Sequence, residues 1–171
     1  MYKRQDEESF ASFIKQKYDS DYDSTCNYYR WKMTVSDKDL SSSFDSKISD
    51  VGIIQNIYVR KRVSGGAAVS VVVEGDKNTV TLDSESLIRQ AFGNAAVTLE
   101  TNGGTVNTPY LPSTFCIFES QEKDGEKYFV ITGGGFGHGI GMSQNAVNAM
   151  TKRGMSYKDI LEFFYPGTKV A

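Results

Sequence analysis

The stretch that decides the fold reads KYFVITGGGFGHGIGMSQ over residues 127–144. Its first part, residues 127–132, is typical of a β-strand, whereas Ser143 can cap a helix that runs to Arg153 and ends at Gly154. Between them, six of the nine residues from 133 to 141 are glycine. Because so much glycine in an ordered connection is entropically unfavourable, it indicates positive φ angles or a backbone that another group approaches closely.

Outward from this stretch the pattern is that of strands joined by short turns. Residues 115–119 and 127–132 predict a hairpin, and residues 53–63, 67–74 and 79–82 predict a three-stranded antiparallel meander. Residues 28–35 predict a further strand, and residues 101–112 a loop. Helices are expected over residues 6–18, from Ser36, over 84–92 and over 156–164, where Ser156 and Asp159 match a capping box.

The order of these elements predicts an α+β fold. Antiparallel strands and hairpins come early, and two C-terminal helices follow the Gly-rich loop, instead of the alternation typical of α/β proteins. The length of 171 residues suits a single domain over residues 1–171. Lys and Arg number 19 against 21 Asp and Glu, a formal charge of 19 − 21 = −2, so the basic excess of a nucleic-acid binder is missing and no nucleic-acid partner is expected.

Two cysteines and one histidine provide few ligands for a metal site. Cys26 and Cys116 are 90 positions apart, and neither a C-x-x-C nor an H-x-x-x-H pair exists, which excludes a zinc ribbon or finger by spacing. A long-range site that joins both thiols to His138 and a carboxylate has no local support. We expect two separate buried thiols.

The Gly-rich stretch does not match the common nucleotide-binding or hydrolase motifs. The dinucleotide pattern starting at Gly135 would require glycine at Ile140, and the phosphate-loop pattern would require a lysine. A nucleophile elbow beginning at Gly141 would have to end in glycine, where the sequence has Asn145, so Ser143 is more simply a helix cap. A Ser143/His138 hydrolase is a weak alternative because no orienting acid is recognisable.

His138 is the candidate site residue of this stretch. Glycine flanks it on both sides, so no neighbouring side chain covers it within the tract. The interpretation that we prefer is an imidazole in a cleft, available as donor, acceptor or proton carrier. The alternative, a satisfied structural histidine, stays open.

The same residues resemble the C-terminal signature of the stage II sporulation protein D/amidase-enhancer family. The similarity lies in GFGHGIGMSQ (135–144), Met150, Gly154, SYKDIL (156–161) and FYPGT (164–168). Tyr29-Arg30-Trp31, Lys61-Arg62 and Ile88-Arg89 are similar to that family as well.

The resemblance implies a bacterial, extracytoplasmic cell-wall protein, membrane-anchored in its full-length form through an N-terminal segment not present here. Sporulation members of the family are lytic transglycosylases that cleave peptidoglycan glycan strands and leave 1,6-anhydro ends, whereas other members enhance a wall amidase. The expected partners are therefore glycan strands and other cell-wall hydrolases. A non-catalytic peptidoglycan-binding or amidase-regulating module is the alternative, since a fold alone does not settle activity.

The chain departs from the family pattern in two segments. The family's catalytic glutamate lies in a Glu-Met-Pro type segment, and a later segment carries His and Cys residues that can bind zinc. Neither is recognisable here, and Glu7 and Glu8 lie on the first helix without that context. The catalytic residue in this chain is therefore unknown, no metal or other cofactor is expected, and the chain is expected to supply the substrate-binding part.

That part is expected to be a cleft. One wall would consist of Gly137, His138, Gly139, Ser143 and Gln144, with main-chain amides facing the ligand. Tyr29 and Arg30 could form a sugar platform, since ring faces and a planar guanidinium suit C–H faces and hydroxyls. The alternative is that strand alternation buries Tyr29, and for Trp31 burial in the core is the preferred interpretation.

Overall fold

The computed structural model describes residues 6–93 and 97–170. Within them the fold is α+β, as the order of the elements predicts, with antiparallel sheets and two helices after the Gly-rich loop. The elements are α1 Glu7–Lys15, β1 Trp31–Ser36, α2 Asp37–Lys47, β2 Ile54–Arg62, β3 Ala68–Gly75, β4 Thr79–Leu82, α3 Glu85–Phe92, β5 Thr98–Thr101, β6 Gly104–Asn107, β7 Cys116–Lys123, β8 Glu126–Gly133, α4 Gln144–Lys152 and α5 Tyr157–Phe164.

Two antiparallel sheets form the body of the protein. The larger has five strands in the order β6-β5-β1-β8-β7, and the smaller is the meander β2-β3-β4. The predicted meander and the predicted hairpin, β7 with β8, are both confirmed. Among the described residues, no helix has the length and apolar character needed to cross a membrane.

Serine caps start the helices where the sequence predicts them. The side chains of Ser36, Ser84, Ser143 and Ser156 each accept a hydrogen bond from a backbone N–H in the first turn. The capping box between Ser156 and Asp159 is complete, since each side chain accepts from the other residue's backbone N–H. These caps satisfy N–H groups that have no partner inside the helix.

Two predicted boundaries are wrong. The first strand begins at Trp31 instead of residue 28, because Tyr28 and the next two residues precede the ladder with β8. The expected loop over 101–112 contains β6, which pairs with β5 through a turn at Asn102 and Gly103. That strand is short, polar and at the sheet edge, so it lacks the apolar alternation from which a buried strand is predicted.

The main core lies between the sheets and helices α2 and α3. Trp31, 2% exposed, belongs to this core, which confirms its predicted burial. A second apolar cluster packs α1 onto the larger sheet, with Phe10 and Ile14 against Ile117.

Candidate functional site

One end of the larger sheet brings the functional segments together. Trp31 pairs with Gly133 on β8, Gly133 pairs with Cys116 on β7, and Trp31 also pairs with Thr101 on β5. In antiparallel pairing the start of one strand lies beside the end of its neighbour. The residues before β1, before β7 and after β8, together with the β5–β6 turn, therefore meet at this end.

Hydrogen bonds hold these segments beside each other. The N–H of Gly135 donates to the carbonyl of Tyr28 at 2.7 Å, and that of Gly134 to the carbonyl of Phe115 at 3.0 Å. The Ser113 hydroxyl donates to the carbonyl of Gly134 at 2.7 Å. The Gly-rich tract, defined here as residues 133–142, thus starts from a fixed position.

A cleft of about 830 Å³ opens between these segments. One wall comes from residues before β1 and the other from the tract and the start of α4. The lining residues are Asp23, Cys26, Asn27, Tyr28, Tyr29, Ser113, Phe115 and the eleven residues 135–145. Phe136 and residues 138–142 of the tract are exposed here, and Ile140 is 81% exposed. The expectation that this loop is open to a ligand agrees with this geometry.

The glycines of the tract are required by backbone conformation and by close packing. Gly135, Gly137, Gly139 and Gly141 all have positive φ angles. At Gly139 a Cβ atom would also lie 2.2 Å from the Phe115 ring. At Gly133 it would lie 2.2 Å from the Trp31 ring, inside the core. Both predicted reasons for glycine, positive φ and close approach, therefore apply.

His138 lies in the cleft with an exposed ring. Its Nδ1 atom accepts a hydrogen bond from the N–H of Ile140 at 2.9 Å. A neutral imidazole whose Nδ1 accepts must carry its proton on Nε2. His138 therefore presents Nε2–H as a hydrogen-bond donor.

Gly137, Gly139, Ser143 and Gln144 also line the cleft, as expected. Ser143 acts as the predicted helix cap, because its Oγ accepts from the N–H of Ala146 at 3.2 Å. Gln144 is exposed at the first position of α4. The wall thus combines main-chain amides with neutral polar side chains.

Tyr29 and Arg30 form an internal stack instead of an open platform. Tyr29 is buried at the back of the cleft, and its hydroxyl donates to the Asp21 carboxylate at 2.6 Å. Burial, with that hydrogen bond, raises the pKa of Tyr29. The Arg30 guanidinium lies over the Tyr29 ring at 4.2 Å and donates to the carbonyl of Gln16, so it faces α1 and is not among the described residues lining the cleft.

Sequence reasoning missed several lining residues. Tyr28 and Phe136, from opposite walls, place their rings 4.8 Å apart in the cleft, and Asp23 and Asn27 lie on the same wall as Tyr28. Their position follows from the register of β1 against β8, since residues before Trp31 must lie beside residues after Gly133. Recognising that register from the sequence would have identified the Tyr28–Phe136 pair.

The two thiols lie in different environments. Cys116 is buried in the core, as predicted, whereas Cys26 is only half-buried because it lines the cleft. Burial, reinforced by the Asp23 carboxylate, raises the pKa of Cys26, so its thiol is held neutral and is a poor nucleophile. Among the described residues, no three His, Cys, Asp or Glu side chains group in a way that could hold a metal ion.

Comparisons with known proteins relate the chain to two sets of sequences. The profile of a family described as a domain of unknown function (DUF8618) matches residues 1–141. The amidase enhancer of Bacillus subtilis (strain 168) is 55% identical over 47 residues, which are 28% of this chain and 6% of that protein.

Stage II sporulation protein D of the same strain is 46% identical over 41 residues, which are 24% of this chain and 12% of that protein. The Bacillus amyloliquefaciens protein of that name matches to the same extent. These matches confirm the resemblance to the stage II sporulation protein D/amidase-enhancer family. The matched stretches span far less than two thirds of any of these three relatives.

Proposed function

This chain belongs to the family described as a domain of unknown function (DUF8618), and we propose that it binds peptidoglycan glycan strands in cell-wall remodelling during sporulation. The proposal joins the names of its relatives, amidase enhancer and stage II sporulation protein D, to the geometry of the cleft. The observation that carries it is the open Gly-rich tract, which exposes main chain and one imidazole beside aromatic rings.

The donors and acceptors in the cleft suit a glycan. The Asp23 carboxylate and the amide side chains of Asn27, Gln144 and Asn145 can exchange hydrogen bonds with hydroxyl and N-acetyl groups. The Nε2–H of His138 adds a fixed donor. Rings and amides together fit a ligand with apolar C–H faces and polar edges.

The proposed reaction in the whole protein is glycan cleavage that forms 1,6-anhydro ends. Such cleavage requires a proton donor at the glycosidic oxygen and stabilisation of an oxocarbenium-like state. The family's catalytic glutamate segment has no counterpart in the pattern of this chain, so we assign to the chain the binding wall and not the acid. The site of action that follows is outside the cytoplasm, at the wall.

A binding and turnover experiment tests the proposal. The purified chain is incubated with denuded glycan strands, and both co-sedimentation and release of anhydro-muramyl ends are measured. We expect co-sedimentation without turnover. Robust formation of anhydro ends would show that the chain carries its own acid, and Asp23→Asn would then test the carboxylate in the cleft.

A His138→Gln variant provides the matched comparison. It keeps a polar side chain at an exposed position, so we expect native circular dichroism and weaker binding to glycan strands. Loss of the fold would show that His138 is structural. Absence of binding by the unaltered chain would refute the proposed function.

A second candidate function, regulation of an amidase, is favoured by a specific surface. Tyr157, Phe163 and Tyr165, on and just after α5, are exposed, as a protein-binding face would require. The relative named amidase enhancer points to the same kind of partner. Stimulation of a purified wall amidase by the chain, abolished by Phe163→Ala but not by His138→Gln, would support this function over glycan binding.

A further inference from the structure

Phe136 is an apolar ring held in an exposed position. Its side chain is 58% exposed, and it lines the cleft. The backbone on both sides of it is anchored: Gly135 donates to the carbonyl of Tyr28 at 2.7 Å, and Gly137 donates to the carbonyl of Pro112 at 2.8 Å. The indole N–H of Trp31 also donates to the carbonyl of Gly135 at 3.1 Å. The exposure of this ring is therefore imposed by the fold.

Side chains from the segment before β1 and from α3 support the ring. The Tyr28 ring lies 4.8 Å from that of Phe136 at an interplanar angle of 47°. The Arg89 guanidinium lies 6.0 Å from the Phe136 centroid. Arg89 is itself fixed, because it donates to the carbonyl of Leu111 at 2.8 Å and to the Glu85 carboxylate at 2.9 Å. The rest of the Phe136 surface stays open to the cleft.

We propose that Phe136, supported by Tyr28 and Arg89, is the stacking platform on which the cleft binds one pyranose ring of an N-acetylhexosamine oligosaccharide. This inference rests on the proposed function and assigns the sugar contact to a residue pair other than Tyr29 and Arg30. A fixed ring loses little conformational freedom when it binds, so its contact with the C–H face of a sugar contributes fully to affinity.

The amide side chains near Phe136 determine which kind of sugar the cleft prefers. Asn27 lies on the same wall as Tyr28, and Gln144 and Asn145 lie at the start of α4, which follows the tract. Amide side chains both donate and accept, which matches the N-acetyl group of an amino sugar. A purely apolar ligand would leave these groups without partners.

Calorimetric titration tests the platform. The probe is a set of disaccharide and tetrasaccharide fragments of N-acetylglucosamine and N-acetylmuramic acid, free of peptide. We expect Phe136→Ala and Phe136→Leu to weaken tetrasaccharide binding about tenfold, since both remove the aromatic face, whereas Phe136→Trp retains binding. Tyr58→Ala, at a residue 43% exposed on β2 and outside the cleft, is the matched control and should bind as the unaltered chain does.

Phe136→Trp also supplies a direct signal. The chain has one tryptophan, Trp31, and it is 2% exposed, so the new indole would report the cleft. Its fluorescence should shift when the tetrasaccharide binds.

The outcomes separate this inference from the proposed function. If the unaltered chain binds and Phe136→Leu binds equally well, the platform is refuted while glycan binding stands. If the unaltered chain binds no fragment and no glycan strand, both fail. If Phe136→Ala affects only stimulation of an amidase, the ring contacts a protein and the platform is refuted.

Discussion

The sheet body buries most of its large apolar side chains, whereas the C-terminal segment leaves several of the largest exposed. In the body, residues 6–93 and 97–133, aromatic residues such as Phe44, Phe92 and Phe129 are fully buried. In the C-terminal segment, residues 134–170, Phe136, Ile140 and Phe163 are each more than half exposed. The difference indicates that the body supplies stability, whereas the segment presents side chains to a ligand or partner.

The attachment of the segment is consistent with this division. Tyr22, in the loop after α1, contacts the helical pair α4–α5 at three points. The Arg153 guanidinium lies 4.7 Å from its ring, the Phe163 ring meets it edge-on at 5.8 Å, and its hydroxyl lies 3.4 Å from the sulfur of Met155. Such partly exposed contacts stabilise less than a closed core does.

The sharpest way to test the comparison is to truncate one phenylalanine in each region. Phe92 is fully buried, with its ring 4.7 Å from that of Phe118, so Phe92→Ala should lower the free energy of unfolding by about 3–5 kcal/mol. Phe163 is 54% exposed, and Phe163→Ala should lower it by less than about 1 kcal/mol. Urea denaturation followed by far-ultraviolet circular dichroism measures both. Equal losses would contradict the division.

Two arginines that lie on aromatic rings give the next test. The Arg62 guanidinium lies 3.9 Å from the Phe10 ring, and it donates to the carbonyls of Gly66 and Cys116 at 2.8 Å and to both oxygens of the Glu7 carboxylate. Arg62→Met leaves buried carbonyls without a donor and should lower the free energy of unfolding by about 2–3 kcal/mol.

Arg153→Met is the matched control, because Arg153 is exposed over the Tyr22 ring. Its loss should lower the free energy of unfolding by about 0.5–1 kcal/mol. Urea denaturation of both variants measures the two losses. A larger effect at Arg153 would mean that the helical pair contributes more to stability than the body's buried arginine.

Among the buried groups, the smallest expected change in the free energy of unfolding comes from the ionisation of a thiol at high pH. Burial raises the pKa of Cys116 from 9.0 to about 12, so above pH 9 the unfolded chain loses a thiol proton that the folded chain retains. Unfolding is therefore favoured as pH rises through this window, and stability should fall by about 1.4 kcal/mol between about pH 8 and pH 10. Thermal unfolding across this range measures the fall.

Variants of each cysteine show which thiol causes the fall in stability with pH. Cys116→Val should remove most of the fall, whereas Cys26→Ser, in the open cleft, should leave most of it. An unchanged slope in Cys116→Val would show that other groups cause it.

Much of the secondary structure could be predicted because its signals are local. Ser36, Ser84, Ser143 and Ser156 all start helices where their spacing to the next apolar residues predicts it. Strand β6 could not be predicted in this way, because its polar residues form a strand only through pairing with β5 at the sheet edge. The pairing partner is close in sequence, across the turn at Asn102 and Gly103, but a short polar strand shows no apolar alternation.

Of the two walls of the candidate site, only the one formed by the tract and the start of α4 was predicted from the sequence. The tract, His138 and Gln144 lie in the cleft, because glycine content and capping are readable along the chain. The opposite wall depends on which strands are neighbours. Arg30 was expected at the platform but packs toward α1, while Tyr28, two residues earlier, faces Phe136. Residues 28–30 precede the β1 ladder, so the alternation of a strand does not determine which of their side chains face the cleft.

The amino-acid order alone therefore established the α+β class, the helix starts and the presence of an open glycine loop, since each depends on residues a few positions apart. Tertiary structure decided what lies opposite that loop. Tyr28 meets Phe136, and Cys26 enters the cleft while Cys116 does not, because strand register joins segments about a hundred residues apart.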